Sequence, residues 1–292
     1  MTVPGTTTQE VQAPSERATY RRPRTTTVLR WELAKLAAQA RARYTLLGCL
    51  VAPPIVVLVL NGQQRPPKDT LYGRHIHTSG YAMPLLMLAF AAQWLFPLLC
   101  ALVAGDIFAN EDQHGTWKTI LTRSVSRSQV FWAKTVTAVA FSVVALALLA
   151  ASTIASSLVV VGTQPLTGLT GQLIGSHTAL QLVIVSWATA LAPVIGFTAL
   201  AILLSVLTRN SSVGVVGPVV LGLIMTLAGS LGGIDVGRRF LLTTAFDSWH
   251  GLLTQQRFYG PLTFGLAVSA GWTVLCLAVA YVSLRRRDIT GG

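Results

Sequence analysis

GDIFANEDQHGTWKTILTRSVSRSQVFWAK, residues 105–134, is a polar stretch set between two long apolar runs, 81–104 and 135–161. It holds three of the chain's ten acidic residues, Asp106, Glu111 and Asp112, and four basic ones, Lys118, Arg123, Arg127 and Lys134. A helix needs roughly 20 apolar residues to cross a hydrocarbon core of about 30 Å, and both flanking runs meet that length. A segment this charged is too costly to leave inside a bilayer. The local reading is therefore helix, surface elbow, helix.

Working outward, the same pattern repeats. Further apolar runs fall at about 44–60, 178–207, 212–231 and 262–284, which predicts six spans. Hydrophobic residues make up 52% of the chain and charged ones 11%, whereas soluble domains carry about 25% charge. The fold class is all-α, a polytopic membrane protein with a cytoplasmic amphipathic N-terminal helix and a hairpin between spans two and three. One bundle uses residues 28–287 of the 292, with a disordered cytoplasmic tail expected over 1–27 and a short cytoplasmic tail over 288–292.

The formal net charge of +12 raises nucleic acid as a partner. The basic residues instead cluster just outside the apolar runs, as the positive-inside rule requires, and no nucleic-acid role is expected. Sixteen of them would lie on the side of the termini and the elbow. Six, Arg65, Lys68, Arg74, Arg238, Arg239 and Arg257, would lie on the other. That bias puts both termini and the elbow in the cytoplasm of a multi-pass protein of the cell's inner or plasma membrane. No apolar stretch precedes Tyr44, so no cleavable signal peptide is expected.

Residues 28–43 read as one interfacial helix. Val28, Leu29, Leu33, Leu36 and Ala40 share a face, and Arg30, Lys35, Arg41 and Arg43 offer positive charge to lipid headgroups. Pro53 and Pro54 should kink span one and free carbonyls that neighbouring helices must cover. Residues 61–80 form a polar outer segment. The outer segment 232–261, with Phe240, Phe246, Trp249 and Leu253, is too apolar for a free loop and reads as short helices at the outer interface. Gly214, Gly217 and Gly222 with Pro218, and Ala138, Ala145 and Ala151, suit close helix contact within the chain or between two chains.

The chemistry absent from the sequence is as informative. The six runs contain no Asp, Glu, Lys or Arg, where ion-coupled carriers usually place titratable groups. No Gly-x-x-x-x-Gly-Lys-Ser/Thr loop is present, so the chain is not expected to hydrolyse nucleotide or to be an enzyme. Cys49, Cys100 and Cys276 fall in apolar runs, and His75-x-His77 lacks a third ligand, so no metal site is expected. Gln93, Gln181, Thr198 and Thr226 are the main polar groups within the runs. Helix-to-helix hydrogen bonds are their ordinary use, and Gln93 and Thr226 are the candidates for a translocation path.

In the elbow, Gln113-His114-Gly115 should break the helix that continues span two. Thr116–Leu121 reads as a short amphipathic turn, and Ser124 or Ser126 can cap the next helix near Arg127. Glu111 and Lys118 are expected to be exposed. Glu111, Gly115-Thr116, Leu121, Ser126-Arg127 and Lys134 follow the order and spacing of the type-2 permeases of ATP-binding cassette (ABC) exporters, which the chain resembles over about 28–287. Trp117 departs from that pattern, where an aliphatic residue is common. The resemblance implies a permease subunit paired with a second permease copy, homodimer or heterodimer, and with membrane lipids around it. It implies a separate ABC ATP-binding subunit that carries the ATP and Mg, with no cofactor on this chain. Glu111, Gly115, Thr116, Trp117, Lys118, Leu121, Arg123, Ser126 and Arg127 would form the coupling elbow. A membrane scaffold that recruits some other soluble protein, and an ion-coupled carrier, are the alternatives.

Overall fold

The computed structural model describes residues 24–63, 70–115, 125–231 and 235–286. The elbow residues Thr116, Trp117, Lys118, Leu121 and Arg123, and the terminal residues 1–23 and 287–292, lie outside them, while Thr25–Thr27, expected in the tail, already belong to the first helix. Six helices among the described residues are long and apolar enough to cross a membrane, so the protein is an all-α polytopic membrane protein. Helix α1 spans Thr25–Ala38, and α2, the first span, Ala40–Asn61. The second span comprises α3 (Ala82–Phe90), a π-helical turn (Ala91–Leu95) and α4 (Phe96–Ala104). A short α5 (Ala109–Gln113) begins the elbow, and α6 (Arg127–Val160) is the third span. The fourth span is α7 (Ser176–Thr189) with α8 (Leu191–Thr208), and the fifth is α9 (Ser211–Ser230). After α10 (Asp235–Arg238) and a 3₁₀ helix (Leu242–Leu253) comes the sixth, α11 (Gly260–Arg286).

Proline shapes these helices. Pro54 cannot donate to the carbonyl of Leu50, four residues back, and Ser152 Oγ on α6 donates to that oxygen at 2.6 Å. The carbonyl is covered from a neighbouring span, as the sequence requires. In span two, Pro97 lacks the donor for the Gln93 carbonyl and its ring crowds it. The helix widens there, and Phe96 N–H donates to the Ala91 oxygen five residues back. In span four, Pro193 stands in the same relation to Thr189, and the helix is interrupted at Ala190.

Spans two and four are the most enclosed, whereas one, five and six turn most of their surface outward. Leu47, Val51, Ile55 and Leu58 of α2, and Val216, Val220, Leu223 and Leu227 of α9, are exposed. Such faces belong in hydrocarbon rather than water. With no hydrophobic drive between helices in lipid, close packing and interhelical hydrogen bonds hold the bundle. Thr198 Oγ1 donates to Ser142 Oγ at 2.9 Å, tying α8 to α6. The glycines of α9 pack within the chain. Gly214 lies against Gly105, where a Cβ on either would sit 2.0–2.2 Å from the other's carbonyl oxygen. Gly222 lies against Pro97 and Phe197.

The sequence expectation differs from the structure in two places. The interfacial helix expected over 28–43 breaks at Gln39, whose ψ of 126° is extended, so Arg41 and Arg43 belong to the first span's helix. The segment expected at the outer interface is instead folded into the bundle. Phe246 stacks on Phe197 with centroids 5.9 Å apart and lies 5.4 Å from Phe96, while Trp249 meets Tyr72 at 6.2 Å. Burying these five aromatic rings outweighs the aromatic preference for the interface. A small hairpin, β1 (Leu166–Thr167) with β2 (Leu173–Ile174), covers the same end. From the loop joining these strands, Leu169 N–H donates to Leu253 O at 2.9 Å.

Gly214→Ala should destabilise the purified protein by about 1–3 kcal/mol, because the new methyl meets backbone. Gly217→Ala meets side chains, the end of Leu204 above all, rather than backbone and should cost less. Equal thermal stability of the two variants in detergent would contradict this packing.

Candidate functional site

Two polar sites occupy opposite ends of the bundle. The first surrounds the elbow. Lys134, in the first turns of α6, is 1% exposed yet charged, and its Nζ lies 3.0 Å from both Glu32 of α1 and Glu111 of α5. Lys35 of α1 donates to the same Glu111. Two lysines and two carboxylates thus form a neutral set across three helices. A lone buried ammonium would cost several kcal/mol in such a place; pairing removes most of that cost. Val28 and Leu36 pack into the bundle on either side of Glu32 along α1, which explains how the face of an interfacial helix comes to carry a buried acid.

Glu111 is therefore buried, contrary to the exposed position expected from its polar neighbours. A hydrophilic sequence context gives no sign of two lysines arriving from 76 and 23 residues away. Asp106 makes a parallel connection. Arg41 of α2 lies 3.1 Å from its carboxylate, and Ser211 of α9 donates to it. Ser205 Oγ on α8 accepts from the backbone N–H groups of Phe108 and Ala109, at 3.3 and 3.0 Å, and so satisfies donors at the start of α5. Ser126 caps α6 in a reciprocal capping box with Gln129, as its position suggests. Arg127 Nη1 donates to Arg285 O at 3.1 Å, joining α6 to the end of α11. Gly115 takes φ +62°, the left-handed conformation that ends α5. Arg30 and Arg43 remain on the surface, and Arg43 Nε donates to Ala37 O at 2.6 Å.

The second site lies toward the far end. A cavity of about 460 Å³ runs between spans two and five and the 3₁₀ helix, and Gln93 and Thr226 both line it. Gln93 sits on the π-helical turn and points its polar group from an otherwise apolar span. Thr226 Oγ1 also donates to Gly222 O at 2.9 Å. A 3₁₀ helix has three residues per turn, so side chains three apart stack on one face. Thr244, Asp247 and His250 have that spacing and all border this cavity. Thr244 and Asp247 also border an adjoining one of about 470 Å³. Composition alone did not single out this stripe, although its period of three was legible in Thr244-x-x-Asp247-x-x-His250.

Asp247 opens onto both cavities and is exposed there, with the 3₁₀ helix behind it. Desolvation raises its pKa above the usual carboxylate value, with His250 and Arg238 opposing the rise. Desolvation lowers the pKa of His250, which Asp247 partly restores. No three His, Cys, Asp or Glu side chains converge on a metal-sized site among the described residues.

Residues 28–229 match the family described as ABC-2 family transporter protein. The chain belongs to that family and is a membrane component of an ABC transport system, one that works with an ATP-binding partner. The match begins in α1 and ends in α9, so the 3₁₀ helix and α11 lie beyond it. Comparison with curated proteins finds no relative.

Lys134→Met leaves Glu32 and one side of Glu111 without their buried cation and should cost about 3–5 kcal/mol. Lys35→Met removes a half-exposed ammonium and should cost under about 1 kcal/mol. Similar unfolding midpoints for the two would remove the central role given to Lys134. The far site makes a separate pH prediction. The unfolded chain protonates His250 near its ordinary pKa of 6.5 and the fold only at lower pH, so stability falls as pH drops through 6.5. Asp247 acts oppositely, because its raised pKa favours proton uptake in the fold. His250→Gln should flatten the acid loss of melting temperature and Asp247→Asn should deepen it.

Proposed function

We propose that this chain is the permease subunit of an ATP-driven exporter, taking its power from a separate ATP-binding subunit docked at the elbow. Its termini and elbow face the cytoplasm, and a second permease copy or a related chain completes the path. ATP and Mg are held by the docked subunit. The family match supports a transport role. The observation that carries the coupling role is the buried neutral set around Lys134. A mobile loop would not need four charges and three helices to hold its base.

The elbow hangs from this set. Force applied to residues 115–127 reaches α1 through Glu111 and Lys35, and α6 through Lys134. It reaches α9 through Asp106 with Ser211 and through the Gly105–Gly214 contact. Helix α9 then carries Thr226 at the cavity. In this reading Thr116, Trp117, Lys118, Leu121 and Arg123 touch the ATPase, and Glu111 anchors the elbow from within. Arg30 and Arg43 face lipid headgroups, and Gln93 and Thr226 line the exit path.

The test is purification in mild detergent from the native host, with a labelling footprint. A stoichiometric ATP-binding subunit should accompany the parent chain and be reduced at least about tenfold by Lys118→Glu with Arg123→Glu, a loss of about 1.4 kcal/mol or more. Cys49, Cys100 and Cys276 are buried, so introduced cysteines report cleanly. His77→Cys should react with an impermeant maleimide from outside the cell. Gln113→Cys should react only in inside-out vesicles, and less when the ATPase is bound. An intact chain with no ATPase, or both cysteines reacting from one side, would overturn the proposal.

A further inference from the structure

Asp247 and Arg238 are the opposed charges on the wall of the far-end cavity. They lie near enough to influence each other, since Arg238 favours the ionised form of Asp247. Yet among the described residues neither forms an ion pair within 4 Å, although four such pairs form at the elbow. The wall thus keeps an acid and a base apart, both facing a space of about 460 Å³. Opposite charges left facing a cavity without closing on each other define a site for a ligand that brings both signs.

We propose that this cavity receives a zwitterionic amphiphile, its cationic group on Asp247, its anionic group on Arg238 and its apolar chain along the wall formed by Ala89, Ala92 and Phe246. A simple cation would meet Asp247 but be repelled by Arg238, and a simple anion would meet the reverse. A zwitterion satisfies both. The 3₁₀ geometry places Thr244 and His250 on either side of Asp247 along its stripe, where they flank the cationic end. Leu71, Ala89, Ala92 and Phe246 give the cavity an apolar side, which suits a chain rather than a small polar solute. The exposed hydrocarbon faces of α2 and α9 place the whole protein where such molecules are abundant. The inference rests on the reading of this cavity as the exporter's path and names the class of substrate it takes.

Binding can be measured without the ATPase, so this inference and the exporter reading fail separately. The full chain is immobilised in dodecyl maltoside, an uncharged detergent, and retention of trace labelled probes is followed at equilibrium. The probes are dodecylphosphocholine, dodecyltrimethylammonium, dodecyl phosphate and chain-free phosphocholine. Dodecylphosphocholine should bind most tightly and phosphocholine weakly. Asp247→Asn should weaken the zwitterion and the cation about tenfold or more and spare the anion. Arg238→Gln should weaken the zwitterion and the anion and spare the cation. Arg257→Gln, on the same end but outside the cavity, should change none of them. Unaltered thermal unfolding of each variant at neutral pH checks that the fold is kept, and Asp247→Asn preserves shape at a carboxyl already partly desolvated. Equal retention of cation, anion and zwitterion, or zwitterion binding indifferent to both cavity variants, would overturn the proposal. Phosphocholine bound as tightly as its dodecyl form would overturn the apolar part. Normal ATPase recruitment beside any of these failures would leave the exporter reading intact.

Discussion

A lysine that water scarcely reaches holds the elbow end together. Lys134 sits at the base of α6 between Glu32 and Glu111, and Lys35 completes the charge balance. Neutrality alone would not make this arrangement favourable, since well-packed apolar groups often do as well as a buried ion pair. What the ions add is direction. Each carboxylate comes from a different helix, so the pairs fix the rotation of α1, α5 and α6 relative to one another. Slipping any of the three by one residue would strand a charge in a poorly solvated place. The surrounding connections, Asp106 with Arg41 and Ser211, and Ser205 with the start of α5, extend that registration to α2, α8 and α9.

Much of this was legible in sequence and much was not, for physical reasons. Spans are visible because hydropathy is additive along a segment. Ser126 was legible as a cap because capping acts over three residues. The covered carbonyl of Leu50 followed from Pro54, although its partner Ser152 did not, because a proline announces a missing donor and not who replaces it. The charge set was illegible because its members are separated by up to 102 residues, and a polar neighbourhood reads the same whether its charges meet water or each other. The break at Gln39 was masked by helix-favouring residues on both sides. The π-helical turn was signalled by Pro97 inside an unbroken apolar run, and the far-end stripe by a period of three that neither the α nor the β pattern contains.

The two ends differ in how they treat charge. At the elbow, every described charge of the central set has closed on its partner, which favours a rigid joint. In the far cavity, Asp247 and Arg238 are held apart, and desolvation acts on both Asp247 and His250. The Asp247 and Arg238 side chains are exposed, so water solvates them and their separation costs little. Leu242, Phe246 and Trp249 are locked into the aromatic core, so the residues between them cannot turn away from the cavity.

Helix α9 connects these two regimes. Its first turn touches the elbow through backbone, at Gly214 on Gly105, where no side-chain rotamer can absorb a displacement. Twelve residues on, about 18 Å along the axis at 1.5 Å per residue, stands Thr226 at the cavity. A tilt of about 10° around the glycine contact would shift Thr226 by about 3 Å over that lever arm, comparable to the width of a methylene chain. Helix α9 packs one face on spans two and four and turns the rest of its surface outward, so such a tilt would have to carry or slide past those neighbours. A joint of closed charge pairs at one end and a cavity with separated charges at the other are thus linked by a single helix, which is the arrangement the proposed coupling calls on.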